Sequence, residues 1–411
     1  MLALQLAKRG VQPLLIDRAE ACGRGIAYGT GEVAHLLNVP AMKMSAWPDE
    51  PRDFAEDAGL ADGAFAERRA YGDYLRGKLE RAVAHGQIIV ADAQAVSANR
   101  TGEVWRIVLD DGREVEAEKL ALATGNGRPD PFEIPGWPDE AMVQDPWSAE
   151  AQSRLEQAAW DSQSVLLIGT GLTMVDLVLT LDRMGHDGPV TAVSRRGVIP
   201  RAHVPGIAPL PPPDPKEIPE SLAAAVAWLR ARGLGVDWRA AVDSLRPITQ
   251  ALWAGWPDTV KARFIRHARP WWDVHRHRIA PEAAAVIDRW CSAGRLKVIA
   301  GRVREGANGT ATVIRRGDGP VTIEAELAIN CTGPAGPLAA TRNPLLRQML
   351  ADGLVQPGPL GIGIRTGAMA EAREKLWAVG PLTKGQWWEI TAVPDIRVQV
   401  DQVAAAMTDG D

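Results

Sequence analysis

The sequence predicts an α/β chain with two dinucleotide-binding (Rossmann-like) domains, β-meander crossovers and a helical insertion. Three observations predict it. Val165–Asp176 reads as buried strand, glycine turn and helix, with Gly169-Thr-Gly171 at the turn. Glu118–Thr124 and Leu327–Thr332 read as strands that run straight into glycine, at Gly125 and Gly333. Leu2–Arg9 reads as a helix fragment ending at Gly10, and Val11–Ile16 as a strand closed by Asp17-Arg18. Helices alternating with strands in this way build parallel sheets.

The bulk properties fit that class. The chain has 411 residues, 46% hydrophobic and 24% charged, with a net charge of −5. That size holds two or three domains. The negative balance offers no general attraction to nucleic acid or to an anionic membrane. No apolar run reaches the roughly 18 residues that span a bilayer. The N-terminus lacks the pattern of a cleaved leader, so the expected location is cytoplasmic. Three cysteines, Cys22, Cys291 and Cys331, lie far apart without a Cys-x-x-Cys pair. That argues against dithiol chemistry and a structural zinc site. A small molecule is the expected partner, no metal is expected, and composition leaves the oligomeric state open.

Taken in order, the first element reads as the second half of a β-α-β unit. An acid closing the second strand of such a unit holds the adenosine ribose, which makes Asp17 the candidate. The first strand and its glycine loop are expected about 15–20 residues upstream, before Met1. The alternative is a short helix–strand opening that needs nothing before it. If the strand is missing, two strand edges are exposed and the product starting at Met1 is expected to be poorly soluble. Trp105–Leu109, the turn Asp110-Asp111-Gly112 and Glu114–Ala117 read as antiparallel strands leading to the return strand at Glu118–Thr124.

At the second unit, Gly169 permits the tight turn. Gly171 lets backbone amides approach a pyrophosphate at the positive end of the next helix. Met174 stands where a third glycine is usual. A second strand, Pro189–Ser194, ends in Ser194-Arg195-Arg196. Arginine there suits the 2′-phosphate of NADPH rather than the free ribose of NADH, although NADH remains possible. The alternatives are an unliganded strand-to-helix turn and a solvated arginine pair.

Pro209–Pro219 holds six prolines in eleven residues and reads as a linker. Ser221–Ala293 reads as helices from its three- and four-residue apolar spacing. Within it, Lys261–Arg278 carries six Lys/Arg and three His around Pro270-Trp271-Trp272. Such a cluster attracts an anionic ligand or forms a solvated face. His275 and His277, two residues apart, do not share a helix face, which disfavours a metal site. The expected domains are 1–150 with 325–411 for FAD, 151–208 with 291–324 for NAD(P)H, and 209–290 as linker and cap.

The motifs resemble those of the YdhS-like FAD/NAD(P)-binding proteins, a domain also found in FAD-dependent urate hydroxylases of the HpyO type. The resemblance rests on Gly23-Arg-Gly-Ile-Ala-Tyr-Gly29, His35-Leu-Leu-Asn-Val-Pro40 with Met44-Ser45, and Ala123-Thr-Gly125. It also rests on Gly169–Asp176, on Ser194–Gly197 with Pro200-Arg-Ala-His203, and on Gly380-Pro-Leu with Trp388–Arg397. The family's first Gly-x-Gly-x-x-Gly is not in the sequence. The resemblance implies a glutathione-reductase-type fold that binds FAD and NADPH. It implies that Asp17 holds the flavin nucleotide's ribose, and that Arg24, Gly25 and Tyr28 lie along the flavin. Asn38 and Ser45 would lie near the ring; plain loop capping is the alternative. Val96, Thr124, Gly125, Gly333 and Gly380 are implied cofactor contacts, as are Thr170, Leu172 and Thr173 at the second turn. The block from Glu389 would start a C-terminal helix whose positive end faces the flavin edge.

The expected activity is that of an FAD-dependent, NAD(P)H-using oxidoreductase, a flavin monooxygenase acting on a small molecule. A non-catalytic nucleotide-binding protein is the alternative. An amine oxidase would leave the second glycine turn idle. No catalytic residue is assigned; His35, His203 and His275 are acid–base candidates by residue type alone.

Overall fold

In the computed structural model, residues 1–307, 309–334 and 336–409 are described. One sheet has seven strands. Its parallel part runs Leu296–Ala307, Val190–Ser194, Val165–Ile168, Leu327–Asn330, Met142–Val143. The strand Leu296–Ala307 outlasts its parallel neighbour and continues, past an irregularity between Val303 and Glu305, into an antiparallel meander with Thr310–Arg315 and Pro320–Glu324.

Alternation along the strands fills both faces of this sheet. Val165 and Leu167 pack with Met174 and Leu177 of the helix Leu172–Arg183 and with Ile287 and Trp290 of Pro281–Ser292. Leu166 and Ile168 point the other way, onto Ile134, Val193 and Val313. Val165–Ile168 and Leu327–Asn330 are buried at every position, as central parallel strands must be.

The first unit's strands fall into separate pieces. Leu14–Asp17 pairs in parallel with Ile89–Asp92. Leu120–Leu122 pairs in parallel with Leu376–Ala378, which also carries Glu371–Arg373. Common layers join the pieces. Ile16 packs into the same core as Leu122 and Leu376, beneath the meander Ala95–Thr101, Val104–Leu109, Glu114–Ala117. On the other side the helix Leu2–Lys8 lies on the C-terminal helix Val393–Thr408, through Leu2, Leu6, Val400, Val403 and Met407.

Two expected boundaries move. Leu327–Asn330 returns to the seven-stranded sheet, so the expected start of the FAD unit's second half at 325 falls inside the other unit. The reason is pairing: this strand lies directly beside Val165–Ile168. Met142–Val143, expected in the first unit, pairs with the same strand. The C-terminal helix runs Val393–Thr408, with Pro394 tolerated in its first turn. Between Val190–Ser194 and Leu296–Ala307 the chain inserts helices Leu222–Arg232, Trp238–Ser244, Thr249–Gly255, Asp258–Arg263 and Arg269–Arg276.

Candidate functional site

The turn after Val165–Ile168 is built as the sequence predicts. Gly169 has φ +126°, and a Cβ there would meet the Cys331 carbonyl oxygen at 2.3 Å. Only glycine lets the turn approach the neighbouring strand so closely. Gly171 stands over open space: an added Cβ would meet nothing within 4 Å. It caps the helix Leu172–Arg183 without a side-chain hydrogen bond. The first-turn amides, at Leu172 and Thr173 among others, lie at the helix's positive end without a side-chain cap. That arrangement suits a phosphate.

Thr170 and Ser194 are spent within the protein. The Thr170 hydroxyl donates to the Val198 carbonyl (2.5 Å) and meets the Ser194 hydroxyl at 2.8 Å. Ser194 also accepts from the Gly197 amide at 3.1 Å. Together they brace the loop carrying Arg195, which is exposed, and Arg196, which is half-buried. Neither arginine has an ion-pair partner among the described residues. Gly333 follows Leu327–Asn330, so it lies beside this turn rather than in the first unit.

The first unit's candidates gather around its split strands. Asp17 ends its strand, accepts from the Arg18 amide at 2.9 Å, and has its carboxyl pushed up by burial. Gly25 (φ +63°) opens the short helix Gly25–Tyr28. Arg24 pairs with Asp73 at 2.5 Å but leaves its buried Nε without a hydrogen-bond partner. Tyr28 packs edge-on to Tyr71, and burial pushes its hydroxyl up to about 12. Gly125 (φ +69°) follows Leu120–Leu122 and Thr124 with open space above it. Val96 is half-buried on the meander. Gly380 (φ +65°) donates its amide to Gln399 Oε1 at 2.7 Å, just before the C-terminal helix. The N-terminus of that helix, at Ala392, has no side-chain cap. The unpartnered Arg24 Nε, the open Gly125 turn and the uncapped helix fit a flavin nucleotide's phosphates and its electron-rich edge.

Other candidates have structural jobs. Ser45 is fully buried and caps its own loop by accepting from the Trp47 amide at 3.0 Å. Asn38 presents its carbonyl to His203 Nε2 at 3.1 Å. His35 bridges the units. Thr180 gives its hydroxyl proton to the Asp176 carbonyl (3.1 Å), so His35 Nε2 donates to Thr180 at 2.9 Å. Nδ1 then accepts from Thr30 at 3.0 Å. Burial and Arg68 lower the His35 imidazole to about 4, so it stays neutral. His203 is lowered to about 4 by burial, with Arg278 adding. His275 Nδ1 is bonded to the Trp271 carbonyl at 2.7 Å.

Glu389 lies four residues before the C-terminal helix. Its residue is buried with φ +71°, a backbone conformation side chains rarely adopt. The carboxylate turns to the helical insertion, accepting from Trp272 Nε1 (2.9 Å) and pairing with His277 (3.2 Å) and Arg276 (3.6 Å). Burial alone would raise its carboxyl, but His277, Arg276 and Trp272 hold it well below the ordinary range. Asp273 joins His277 and Glu389 in a group whose ligand atoms lie within 4.8 Å of one another. Arg276 already neutralises the Glu389 charge that a cation would use. Sequence spacing could not bring Glu389 to this helix, because the contact spans more than a hundred residues.

Among the described residues, no helix is long and apolar enough to cross a membrane. No curated protein matches the chain. Residues 1–127 match the model of the FAD-NAD(P)-binding family. The chain is similar in structure to the Kutzneria sp. 744 ornithine N-hydroxylase, solved with reduced FAD, NADP+ and L-ornithine (TM-score 0.62, 15% identity, 99% of this chain and 95% of that one). It is also similar to the Bacillus cereus bacillithiol disulfide reductase (TM-score 0.58, 15% identity, 99% and 94%). A third likeness is to Lactococcus lactis thioredoxin reductase (TM-score 0.51, 14% identity, 99% and 94%). The chain thus has the fold of two-domain FAD/NAD(P) reductases and hydroxylases, and its first 127 residues carry the FAD-NAD(P)-binding match.

Proposed function

We propose that the chain is an NAD(P)H-dependent flavoprotein oxidoreductase of the monooxygenase kind, acting on a small molecule. The observation that carries this reading is the uncapped helix N-terminus at the glycine turn Gly169–Gly171, with Arg195, unpaired among the described residues, on the loop after the next strand. In this reading the seven-stranded unit takes NADPH and the split unit takes FAD. Asp17 would hold the flavin nucleotide's ribose. Arg24 and the turns at Gly25 and Gly125 would hold its phosphates, and the positive end of Val393–Thr408 would face the ring. A bound flavin supplies hydride acceptance from the dihydronicotinamide and electron delivery to an acceptor, here oxygen.

The chain's own residues position and exclude. The amides at Leu172 and Thr173 bind the pyrophosphate, and Arg195 holds the 2′-phosphate. Thr170 and Ser194 keep the Arg195 loop in place. His35, neutral and bonded on both ring nitrogens, fixes the two units against each other. The absence of a Cys-x-x-Cys pair separates this reading from dithiol reduction.

Anaerobic mixing of the FAD-loaded protein with NADPH tests it. Bleaching of the visible flavin band, faster with NADPH than NADH and reversed by oxygen, is the expected result. A flavin that stays oxidised sinks the redox reading. Reduction without any oxygen-dependent reoxidation sinks the monooxygenase part alone.

A further inference from the structure

The helical insertion belongs to neither sheet, yet it turns a concentration of guanidinium groups toward the first unit. Arg246, Arg276 and Arg278 come from the insertion; Lys43 comes from the loop before Ser45, and Arg397 from the C-terminal helix. Hydrogen bonds and ion pairs gather them. Arg397 Nη1 donates to the Ser45 carbonyl at 3.3 Å and the Lys43 carbonyl at 3.5 Å. Arg246 pairs with Asp395 at 3.3 Å, and Arg278 Nη2 meets both Asp243 oxygens at 2.8 and 2.7 Å. Arg276 pairs with Glu389 at 3.6 Å.

These five cations face three carboxylates, Asp243, Asp395 and Glu389. Lys43 and Arg397 have no carboxylate partner among the described residues. Donors are also left over. Arg278 is 5% exposed, yet its Nε and Nη1 have no hydrogen-bond partner. Arg397 Nε is likewise buried and unmet. Buried guanidinium donors aimed at nothing are costly unless a ligand completes them. The cations also feel one another. Burial lowers the Lys43 ammonium first, and Arg246 lowers it further. The Lys43 residue as a whole keeps solvent contact while its ammonium sits among the fold's other cations, so a ligand can reach the group.

We infer that this cluster is the substrate-binding site, and that the substrate is a small organic anion bearing a carboxylate. Guanidinium forks match a carboxylate's two oxygens, which explains unmet arginine donors better than a lysine-rich surface would. Nucleotide phosphates have other receptors in this chain: the amides at Gly171 and the Arg195 loop. The cluster's arginines come mainly from the cap, and it sits beside Ser45 and the start of Val393–Thr408. Calling the ligand a substrate rests on the redox function proposed above; the anion site itself does not.

The test is calorimetric titration of the full, FAD-loaded chain with benzoate, oxalate and citrate, and separately with 2′,5′-ADP. At least one carboxylate is expected to bind, more weakly as salt rises. Arg278→Gln and Arg246→Gln should each weaken it by about tenfold or more, and Lys43→Gln by about threefold. Binding of 2′,5′-ADP should be unchanged in all three. Lys43 is exposed, so K43Q keeps the test open if R278Q does not fold. No carboxylate binding to the parent chain overturns the inference, as does binding that all folded variants retain. Loss of 2′,5′-ADP in the same variants assigns the cluster to NADPH. Carboxylate binding only to flavin-free protein assigns it to the flavin. Flavin reduction by NADPH, measured without carboxylate, reports separately on the redox reading.

Discussion

In the seven-stranded sheet, Val165–Ile168 has a strand on each edge and side chains buried on both faces. In the first unit, among the described residues, Leu14–Asp17 has Ile89–Asp92 on one edge and no strand on the other, and Leu120–Leu122 likewise ends its sheet. Shared packing joins the two pieces, around Ile16, Leu122 and Leu376 on one side and through the helix Leu2–Lys8 on the other. One unit is held by hydrogen-bond ladders across its centre, the other by its covering layers. The turn glycines after the two strands differ: Gly169 has a carbonyl oxygen where its Cβ would be, and Gly125 has nothing within 4 Å.

The largest expected effect breaks that contrast at its sharpest point. Gly169→Val forces a Cβ to 2.3 Å from the Cys331 carbonyl at a φ of +126°. It should destabilise the chain by more than about 4 kcal/mol and abolish NADPH-dependent flavin reduction. Gly125→Val meets only the strain of a positive φ and should cost about 1–2 kcal/mol. Urea denaturation of both variants checks the pair. Equal losses would mean the first unit is as tightly closed as the second.

Next come the strands. Leu167→Ala empties a fully buried position between two helices, an expected loss of about 2–5 kcal/mol. Ile16→Ala removes a half-buried side chain at the rim of the divided unit and should cost about 1 kcal/mol. A comparable cost at Ile16 would show that the seam is packed like a sheet interior.

Much of this was legible in the sequence because it is local. The strand–turn–helix at Val165–Asp176 and the Asp17 strand end are written in consecutive residues. Return strands were legible as elements but not as members of a sheet. Leu327–Asn330 and Leu120–Leu122 look alike, and only pairing tells that the first joins Val165–Ile168. The cap contacts were not legible. Glu389 reaches Arg276 and His277, and His35 reaches Thr180, across more than a hundred residues in each case. No spacing rule carries that distance.

The contact between units gives a pH signature. Folding lowers the His35 imidazole from 6.5 to about 4. The unfolded chain therefore takes the proton first, and stability present above pH 6.5 is lost as pH falls toward 4. Asp176, on the same helix, runs the other way. Burial outweighs Arg68, 2.9 Å away, and raises the carboxyl from 3.8 to about 6. Between those values the folded state holds the proton, so acidification from pH 6 to 4 stabilises. The two slopes oppose, each worth up to about 3 kcal/mol. Melting temperatures from pH 7 to 4 should fall less for His35→Gln than for the parent, and more for Asp176→Asn. Parallel curves for all three would remove both groups from the acid response.

The smallest expected effect concerns the loop that the rigid unit presents to solvent. Arg195 is exposed and unpaired, so Arg195→Gln should leave the melting temperature unchanged within about 1 °C. Its consequence should appear only in nucleotide choice. A guanidinium lost from a 2′-phosphate weakens NADPH by about tenfold while NADH, lacking that phosphate, is unaffected. The rate of flavin reduction at saturating nucleotide should not change, because the ring and the pyrophosphate amides are untouched. An equal loss for both nucleotides would place Arg195 on the shared pyrophosphate instead. No loss for either would leave Arg196, half-buried one residue on, as the arginine that meets the phosphate.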